Sequence, residues 1–396
     1  MTATGSEPRT LWDLVVVGAG PAGTATALAA LAEDPRLGVL LLDRADFPRD
    51  KSCGDGIAPH VFDALTDIGV TGVADGWTPV QCLELARGDW SVSRTMSRPV
   101  WVIPRKVFDA ELVRRATSAG AVLRRHRVRT VHTVDDEVVV DGVIRARVLV
   151  GADGAHSVVR GATGCAPVRR RALAMRGYTP TPAGRRGKQL IVYGARRQPS
   201  YAWSFDRGDG LANVGYGELV GDHSGASPRS VLLGQLEELL PGSVAEGEQW
   251  RGHHLPLSDW RWSHPGGRML LAGDAAGLVN PMTGEGIYYA VATGILAGRA
   301  AVRCLRAGSP VDVGAEHRRS VQQHLARHLR HTSAASRLST MPSVVDAGIR
   351  AAVRDQQVFD DLVEIGLGRG TLTRRLAGGL VTGLVAPNRR PRPTAA

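Results

Sequence analysis

The stretch Gly273–Gly286, with the sequence GDAAGLVNPMTGEG, is the most informative part of the chain. An apolar segment of strand character, residues 268–272, precedes it, and an apolar segment of helical character, residues 287–301, follows it. An aspartate at the end of a strand, then a proline and two glycines at a helix start, is typical of a site that holds a diphosphate-linked cofactor with backbone N–H groups. The stretch therefore predicts an α/β protein that binds a nucleotide cofactor.

A second glycine-rich turn lies near the start of the chain. An apolar run at 11–17 leads into Gly18-Ala19-Gly20-Pro21-Ala22-Gly23, and an alanine-rich helical stretch follows at 24–32. This order of strand, tight turn and helix gives a GxGxxG pattern its meaning as a dinucleotide-binding turn. The first glycine permits the turn, the second lets the backbone approach a pyrophosphate, and the third lets the helix pack closely on the sheet. Asp43 ends the next predicted strand, where its carboxylate can accept hydrogen bonds from a ribose diol.

A third strand end follows residues 147–151, in the sequence Ala152-Asp153-Gly154-Ala155-His156-Ser157. Taken alone, this segment is an ordinary turn in which the aspartate side chain hydrogen-bonds the nearby backbone. We give it more weight because three strand ends of the nucleotide-binding type then occur in one chain.

Length and composition limit the classes of protein to which the chain can belong. With 396 residues, 43% of them hydrophobic, the chain can form one large or two interlocked domains. The four cysteines form no CxxC pair, so we expect no disulfide framework, no metal site and a cytoplasmic location. The polar N-terminus, Met1–Arg9, predicts no signal peptide, and no apolar run is long enough to span a membrane. The net charge of +11 suits an anionic cofactor or lipid, and without a nucleic-acid-binding signature we predict no nucleic-acid partner.

The three strand ends, in this order, resemble the FAD-binding segments of the glutathione-reductase-type fold, in the branch that contains aromatic hydroxylases and geranylgeranyl reductases. GAGPAG with Asp43 resembles the ADP-binding unit, VGADGAHSVVR the central DG motif, and LLAGDAAGLVNPMTGEGI the C-terminal GD motif. Arg105 resembles an arginine that contacts the flavin in this family. The resemblance implies an α/β fold: a Rossmann-type FAD-binding domain with an inserted antiparallel β-sheet substrate domain and a helical C-terminal region. The residues that it assigns to FAD are Gly18, Gly20, Pro21, Ala22, Gly23, Asp43, Arg44, Cys53, Gly54, Asp55, Gly56, Arg105, Asp153, Gly273, Asp274, Pro281, Gly284, Gly286 and Ile287.

Two further segments resemble geranylgeranyl reductases in particular. Residues 51–57, KSCGDGI, resemble the K-x-C-G loop beside the flavin ring, and residues 201–205, YAWSF, resemble the Y-x-W-x-F-P motif of the substrate pocket. Asp206 replaces the proline of that motif, which puts the local turn in doubt. Both segments also have a purely structural explanation, because alternating aromatic residues can form one buried face of a strand and Cys53 can fill a core. Beside three FAD motifs we favour the pocket interpretation, with substrate contacts from Tyr201, Trp203, Phe205 and Tyr216.

We predict three parts in the chain. The FAD-binding domain is discontinuous and comprises residues 11–78, 102–166 and 264–305. The β-sheet substrate domain comprises residues 79–101 and 167–263. The helical C-terminal region, residues 306–396, ends in a basic tail.

Four histidines of the C-terminal region fall at helical spacing on one face: His317, His324, His328 and His331. Since no carboxylate or cysteine joins them and their neighbours are arginines, we expect a solvated face rather than a metal site.

The last apolar segment, residues 372–385, is followed by Arg389, Arg390 and Arg392. A packed helix with a basic tail and a peripheral contact with an anionic membrane are both compatible with this pattern, and we favour the packed helix.

The resemblance implies two alternative activities. The first is reduction of isoprenoid C=C bonds in a prenylated lipid, quinone or natural product by hydride transfer from reduced FAD. The alternative is monooxygenation of an aromatic or polyketide-like natural product through a flavin hydroperoxide, and a non-catalytic FAD-binding membrane or scaffold protein is a remote third hypothesis. No second GxGxxG holds a nicotinamide, so the expected electron donor is transiently bound NADPH or NADH, or reduced ferredoxin. Cys53 is the first candidate for the proton donor, and Tyr201 or Tyr216 is the second.

Overall fold

In the computed structural model, which describes residues 11–221, 225–260 and 264–385, the chain forms two β-sheets with helices packed against them. The strands in chain order are β1 (Trp12–Val17), β2 (Val39–Asp43), β3 (Gly56–Ile57), β4 (Pro79–Arg87), β5 (Trp90–Val102), β6 (Val122–Arg125), β7 (Val131–Val134), β8 (Glu137–Val140), β9 (Ile144–Gly151), β10 (Arg171–Pro180), β11 (Lys188–Tyr193), β12 (Tyr201–Asp206), β13 (Leu211–Leu219), β14 (Glu248–Pro256) and β15 (Met269–Leu271). The helices are α1 (Pro21–Glu33), α2 (Pro59–Thr66), α3 (Arg105–Ser118), α4 (Val158–Ala162), α5 (Arg229–Leu239), α6 (Ile287–Arg306), α7 (Val313–Leu338), α8 (Pro342–Arg354), α9 (Gln356–Leu367) and α10 (Arg374–Val385). The predictions for Met1–Arg9 and for Arg389, Arg390 and Arg392 fall outside the described residues.

The first sheet has the order β6-β2-β1-β9-β8-β7, with β15 beside the end of β9. β1 runs parallel to β2 and β9, and β15 runs parallel to β9. The central strands are almost continuously apolar, as expected for parallel strands that are covered on both faces. Their carboxyl ends meet at one edge of the sheet, where an open α/β sheet binds its ligand.

Helices α1 and α6 pack against each other with their backbones in contact. A Cβ added to Gly294 would lie 2.2 Å from the Ala22 carbonyl oxygen, and one added to Gly298 would lie 2.4 Å from the Thr26 carbonyl oxygen. Only glycine allows this approach, because a side chain at either position would overlap with the main chain of α1.

The second sheet has the order β14-β10-β13-β12-β11-β4-β5-β3. Its neighbouring strands are antiparallel, as predicted, apart from one pair: β11 runs parallel to β4. β4 and β5 form the first hairpin, and the chain returns to the other side of β4 only after it has passed through the first sheet. The connection is therefore a crossover, which permits a parallel pair.

Of the four histidines on this face of α7, His317 and His328 are buried, so the expectation of a solvated face is wrong for them, whereas His324 is exposed and His331 is half-buried. His317 is 1% exposed with Nε2 3.1 Å from the Leu271 carbonyl oxygen, and His328 is 4% exposed with Nε2 2.5 Å from the Tyr289 hydroxyl. The imidazoles fix α7 to β15 and α6 by hydrogen bonds, which an apolar side chain could not do. Among the described residues, no group of three or more His, Cys, Asp or Glu side chains is placed to hold a metal ion. In the same part of the chain, no helix is both long enough and apolar enough to cross a membrane.

Candidate active site

A cavity of about 810 Å³ opens at the carboxyl edge of the first sheet and continues between β12 of the second sheet and the C-terminal helices. It begins at the glycine turn after β1 and at the strand ends of β2, β9 and β15. Most predicted cofactor residues line it. Gly23, Asp55 and Gly273, however, lie behind the wall and support it rather than face the cavity.

The glycine turn after β1 has the geometry of a phosphate-binding turn. Gly18 has a φ of 99°, and a Cβ there would lie 2.3 Å from the Ala152 carbonyl oxygen. A Cβ on Gly23 would lie 1.8 Å from the Gly18 carbonyl oxygen, so this glycine allows α1 to approach the turn. Gly20 differs, because its Cβ would meet only the Arg49 guanidinium, at 3.4 Å. Its missing side chain leaves room on the cavity side, at the N-terminus of α1, where an anion is stabilised.

The acidic side chains at the end of β2 and just after β9, the strands on either side of β1, accept hydrogen bonds from backbone N–H groups. Asp43 accepts hydrogen bonds from the N–H groups of Ala19, at 2.9 Å, and Ala45, at 3.0 Å. The Asp153 carboxylate accepts from the Ser157 hydroxyl at 2.5 Å and from the N–H group of Val158 at 2.7 Å, at the start of α4. Asp43 therefore shapes the glycine turn while it still lines the cavity. Asp153 lines the cavity as well, but its carboxylate is used within the protein.

Asp274, at the end of β15, lies opposite the loop that follows β2. Its carboxylate is 3.0 Å from the Lys51 ammonium and 4.0 Å from His253 Nε2. Burial by itself would raise the pKa of Asp274, but Lys51 and then His253 outweigh this effect and lower that pKa. Asp274 is thus ionised at neutral pH and can accept hydrogen bonds from a polyol.

The segment before α6 turns back into the cavity. Gly284 has a φ of 73°, and α6 begins at Ile287 with Gly286 at the N-cap. The Glu285 carboxylate accepts a hydrogen bond from the Tyr288 N–H group at 2.8 Å. A side chain of the protein therefore already uses part of the positive helix end that the sequence assigns to the cofactor.

The Cys53 loop and the aromatic face of β12 are in direct contact. A Cβ on Gly54 would lie 3.4 Å from the Phe205 ring and 3.5 Å from Trp203 Nε1. The Trp203 N–H donates to Asn213 Oδ1 at 2.8 Å, and the Asn213 amide donates to the Cys53 carbonyl oxygen at 2.8 Å. The two segments that resemble geranylgeranyl reductases thus form one wall.

Asp55 fixes this loop from behind, in a left-handed conformation with a φ of 59°. Its carboxylate accepts from the Tyr178 hydroxyl at 2.5 Å, from the Asn213 amide at 2.8 Å and from the Arg105 N–H group at 3.3 Å. The Arg105 guanidinium, 4% exposed, makes a bidentate pair with Asp109 at 2.6 and 2.8 Å. Arg105 therefore lines the cavity as a positioned cation whose charge is balanced by its neighbour.

Tyr216 does not line the cavity, and its predicted contact with substrate is wrong. It pairs with Ala202 across β12 and β13, whereas Tyr201 and Trp203 pair with Gly217 and Gly215. Because cross-strand partners share a face, Tyr216 points to the opposite side of the sheet, where it packs in the cluster formed with α5. Its hydroxyl lies 3.3 Å from Glu218.

The aspartate that replaces the family's proline has a structural role. Asp206 is 6% exposed and accepts hydrogen bonds from the Thr181 hydroxyl at 2.9 Å and the Gly187 N–H group at 2.6 Å. These side-chain hydrogen bonds hold the end of β12. The aromatic residues therefore keep their positions although the proline of the motif is absent.

Several residues of the site are not predicted from the sequence. Lys51 is predicted only as part of a loop, and His253, Asn213 and Glu285 are not predicted at all. Glu285 lies within the quoted GD motif, and an acidic residue between two glycines is a signal that could have found it. Asn213 and His253 lie on strands of the second sheet, and only the tertiary fold brings them to the cavity.

The far part of the cavity is apolar. It runs from the aromatic face of β12 to α8, α9 and α10. The side chains that line it there include Leu83, Leu85, Ile191, Val344, Ile349, Leu362, Val363, Leu376 and Leu380. The site therefore joins a polar cradle of glycines and charges, which fits FAD, to a long apolar pocket.

Comparison with known proteins agrees with this geometry. Residues 12–177 match the family described as FAD binding domain. The chain is 29% identical over 393 residues to the menaquinone reductase of Mycolicibacterium smegmatis, which covers 93% of this chain and 92% of that protein. It is 33% identical over 326 residues to digeranylgeranylglycerophospholipid reductase 1 of Methanopyrus kandleri, which covers 74% of this chain and 81% of that protein.

A solved structure has the same fold over almost the whole chain. A geranylgeranyl bacteriochlorophyll reductase-like protein from Thermoplasma acidophilum superposes with a TM-score of 0.72 at 18% identity, over 94% of this chain and 96% of that one.

Proposed function

The chain belongs to the geranylgeranyl reductase family of FAD-dependent oxidoreductases, and on this basis we propose that it reduces isolated C=C bonds of an isoprenoid chain. The substrate class that we propose is a prenylated lipid or quinone. The relatives whose names state a substrate support it, since they are reductases of a digeranylgeranylglycerophospholipid, of geranylgeranyl diphosphate and of menaquinone.

One observation carries the proposal: the cavity continues from the cofactor cradle into a long apolar pocket. An isoprenoid chain has no polar group along its length, so it gains free energy by leaving water for such a lining. Tyr201, Trp203 and Phe205 stand where the cradle and the pocket meet. They can press an alkene against one side of the cavity and exclude water from it.

When bound and reduced, FAD supplies a hydride. The residues of this chain would hold FAD and balance its charge: the glycine turn would receive the diphosphate, Asp274 would accept hydrogen bonds from the sugar-alcohol chain, and Arg105 would offer a fixed cation. The electron donor that we propose is transiently bound NADPH or NADH, with reduced ferredoxin as the other possible donor.

We further propose a cytoplasmic protein that contacts the membrane peripherally through the mouth of the apolar pocket. Leu338, which lines the pocket, is 40% exposed, and Met341 just after it is 46% exposed. At the end of α10, Val381 is 61% exposed and Leu384 is 47% exposed. Exposed apolar side chains beside a pocket for a lipid chain suit a surface that rests on lipid.

The test is a single turnover without oxygen. Holoenzyme is reduced by dithionite, mixed with geranylgeranyl diphosphate or a menaquinone, and followed by flavin absorbance and product mass. We expect flavin reoxidation and a mass gain of about two daltons per reduced bond. Absence of reoxidation by every prenyl compound, together with an oxygen-dependent reaction on an aromatic compound, would replace the reductase by a monooxygenase.

A further inference from the structure

Glu285 is the one carboxyl group in the turn before α6, and it borders the cavity beside the aromatic wall. Its Oε1 accepts the Tyr288 N–H hydrogen bond described above, which fixes the side chain at the helix start. A Cβ on the preceding Gly284 would lie 3.6 Å from the Tyr201 hydroxyl oxygen, so the turn that carries Glu285 touches the first ring of that wall.

The basic groups near Glu285 already have carboxylate partners. Arg105, from α3, pairs with Asp109, and His60, from α2, lies 3.0 Å from Glu364. Among the described residues, none forms a salt bridge with Glu285 within 4.0 Å.

The hydroxyls of Tyr201 and Tyr289 and the thiol of Cys53 also interact with Glu285. The Asp274 carboxylate lies beside the next residue, 3.5 Å from where a Cβ on Gly286 would be. Burial raises the pKa of Glu285 to about 7. The N–H groups of Tyr288 and Ile287, and after them Arg105 and His60, act in the opposite direction but do not cancel the effect of burial.

The other acids of the cavity are less suited to give up a proton. The Tyr201 hydroxyl donates to the Thr283 carbonyl oxygen, and burial raises its pKa. Burial likewise raises the pKa of the Cys53 thiol. A carboxylic acid that is protonated near neutral pH is the stronger acid, and it lies on the same wall.

We propose that Glu285 is the catalytic acid that protonates the substrate alkene, an assignment that rests on the proposed function. The Glu285 O–H bond breaks and its proton adds to the less substituted carbon of a trisubstituted double bond. The other carbon, left electron-poor, receives a hydride from reduced FAD, so that two C–H bonds replace the π bond and FAD is oxidised. The Glu285 carboxylate regains a proton from solvent before the next turnover.

The aromatic wall supports protonation of the alkene by Glu285 before hydride transfer. Tyr201 and Trp203 have ring centroids 6.0 Å apart, and Trp203 and Phe205 have centroids 6.4 Å apart, so the three rings form a continuous surface. The face of an aromatic ring attracts positive charge, most strongly where water is excluded. Positive charge that develops on the substrate carbon is thereby stabilised next to the acid.

The test compares wild type with Glu285→Gln, which keeps an oxygen for the Tyr288 N–H group but has no acidic proton. Both proteins should bind FAD and be reduced by dithionite at the same rate. In the anaerobic reaction with geranylgeranyl diphosphate, we expect Glu285→Gln to reoxidise about 100-fold more slowly. The wild-type rate should fall as the pH rises through about 7, where the acid form is lost, and the residual rate of the variant should not.

A second readout does not depend on turnover. Infrared difference spectra of oxidised holoenzyme should show a carboxylic C=O band that disappears as the pH rises through about 7 and is absent from Glu285→Gln. Glu237→Gln is the matched control, since it makes the same replacement outside the cavity, at a carboxylate that accepts from the Gly242 and Val244 N–H groups, and it should leave this band and the pH profile unchanged. Glu285→Gln reoxidation within threefold of wild type, or no such band, would overturn the assignment, whereas a wild type that no alkene reoxidises would overturn the proposed function itself.

Discussion

The Lys51 ammonium lies 3.0 Å from the Asp274 carboxylate, although 223 positions separate the two residues in the chain. The pair joins the loop after β2 to the end of β15 across the cofactor cradle. It also keeps the Asp274 carboxylate ionised, because burial alone would raise the pKa of that group.

Lys51→Met should make FAD binding sensitive to acid. Without the ammonium, burial raises the pKa of Asp274, so the carboxylate takes up a proton at a higher pH than in wild type. As the pH is lowered, we expect the FAD affinity of the variant to start falling at a higher pH than that of wild type. Fluorescence of released FAD measures this. Lys188→Met, which removes an ammonium 3.2 Å from Glu84 outside the cavity, is the control, and identical pH curves for the two variants would contradict the role of Lys51.

Two glycine substitutions should separate folding from cofactor binding. Gly18→Ala places a Cβ 2.3 Å from a carbonyl oxygen at a positive φ, so we expect a loss of unfolding free energy of about 3 kcal/mol and no bound FAD. Gly20→Ala meets only a flexible guanidinium, at 3.4 Å, so the apoprotein should keep its melting temperature while FAD affinity drops at least tenfold. Calorimetry of the apoproteins and FAD titration distinguish these outcomes. A Gly20→Ala protein that binds FAD like wild type would show that the cofactor does not approach this turn.

The two faces of the second sheet should respond differently to substitution. Phe205→Ala removes a ring from the cavity wall, and we expect KM for a prenyl substrate to rise about tenfold, with some loss of melting temperature because the ring also packs against the apolar cluster of the second sheet. Tyr216→Phe removes a hydroxyl on the opposite face, so KM should be unchanged and the unfolding free energy should fall by about 1 kcal/mol. Steady-state kinetics and urea unfolding of both variants provide the check. A raised KM in Tyr216→Phe would mean that the substrate reaches both faces.

Stability should decline in mild acid because of His317. Burial lowers the pKa of His317 from 6.5 to about 4, so between these values the unfolded chain binds a proton that the folded protein does not. The folded state therefore loses stability as the pH falls below about 6.5, by on the order of 2 kcal/mol at pH 5 for this residue. Urea unfolding from pH 7.5 to pH 5 should show the decline. His317→Gln, which keeps a hydrogen-bond donor for the Leu271 carbonyl oxygen, should make the decline shallower by this amount, while the rest of it comes from other buried histidines such as His328, whose pKa burial also lowers to about 4. An equally steep decline in the variant would contradict the role of His317.

The sequence predicted an FAD-binding fold, and most of the residues that it assigns to the cofactor line the cavity, because these signals are local. GAGPAG and GDAAGLVNPMTGEG each bring a strand end, a turn and a helix start in one continuous segment, so their geometry follows from the order of residues. The substrate half depends on the second sheet, where register decides which face a residue occupies. Tyr201 and Tyr216 are equally aromatic in sequence, and only the pairing of β12 with β13 places them on opposite faces. For the same reason, burial of His317 could not be deduced from a helix pattern rich in arginine. Its partner is a carbonyl oxygen of β15. The proposed division into domains stays a prediction.

The backbone contact between α1 and α6 has a consequence for how this fold diversifies. One helix starts at the turn after β1 and the other at the turn beside Glu285, and Gly294 and Gly298 leave no layer of side chains between them. The distance between the two turns is consequently set by main-chain atoms, and it does not change when side chains of the core are substituted. Mutations can then remodel the apolar pocket for longer, shorter or bulkier substrates without altering the length of cofactor that the cradle accepts.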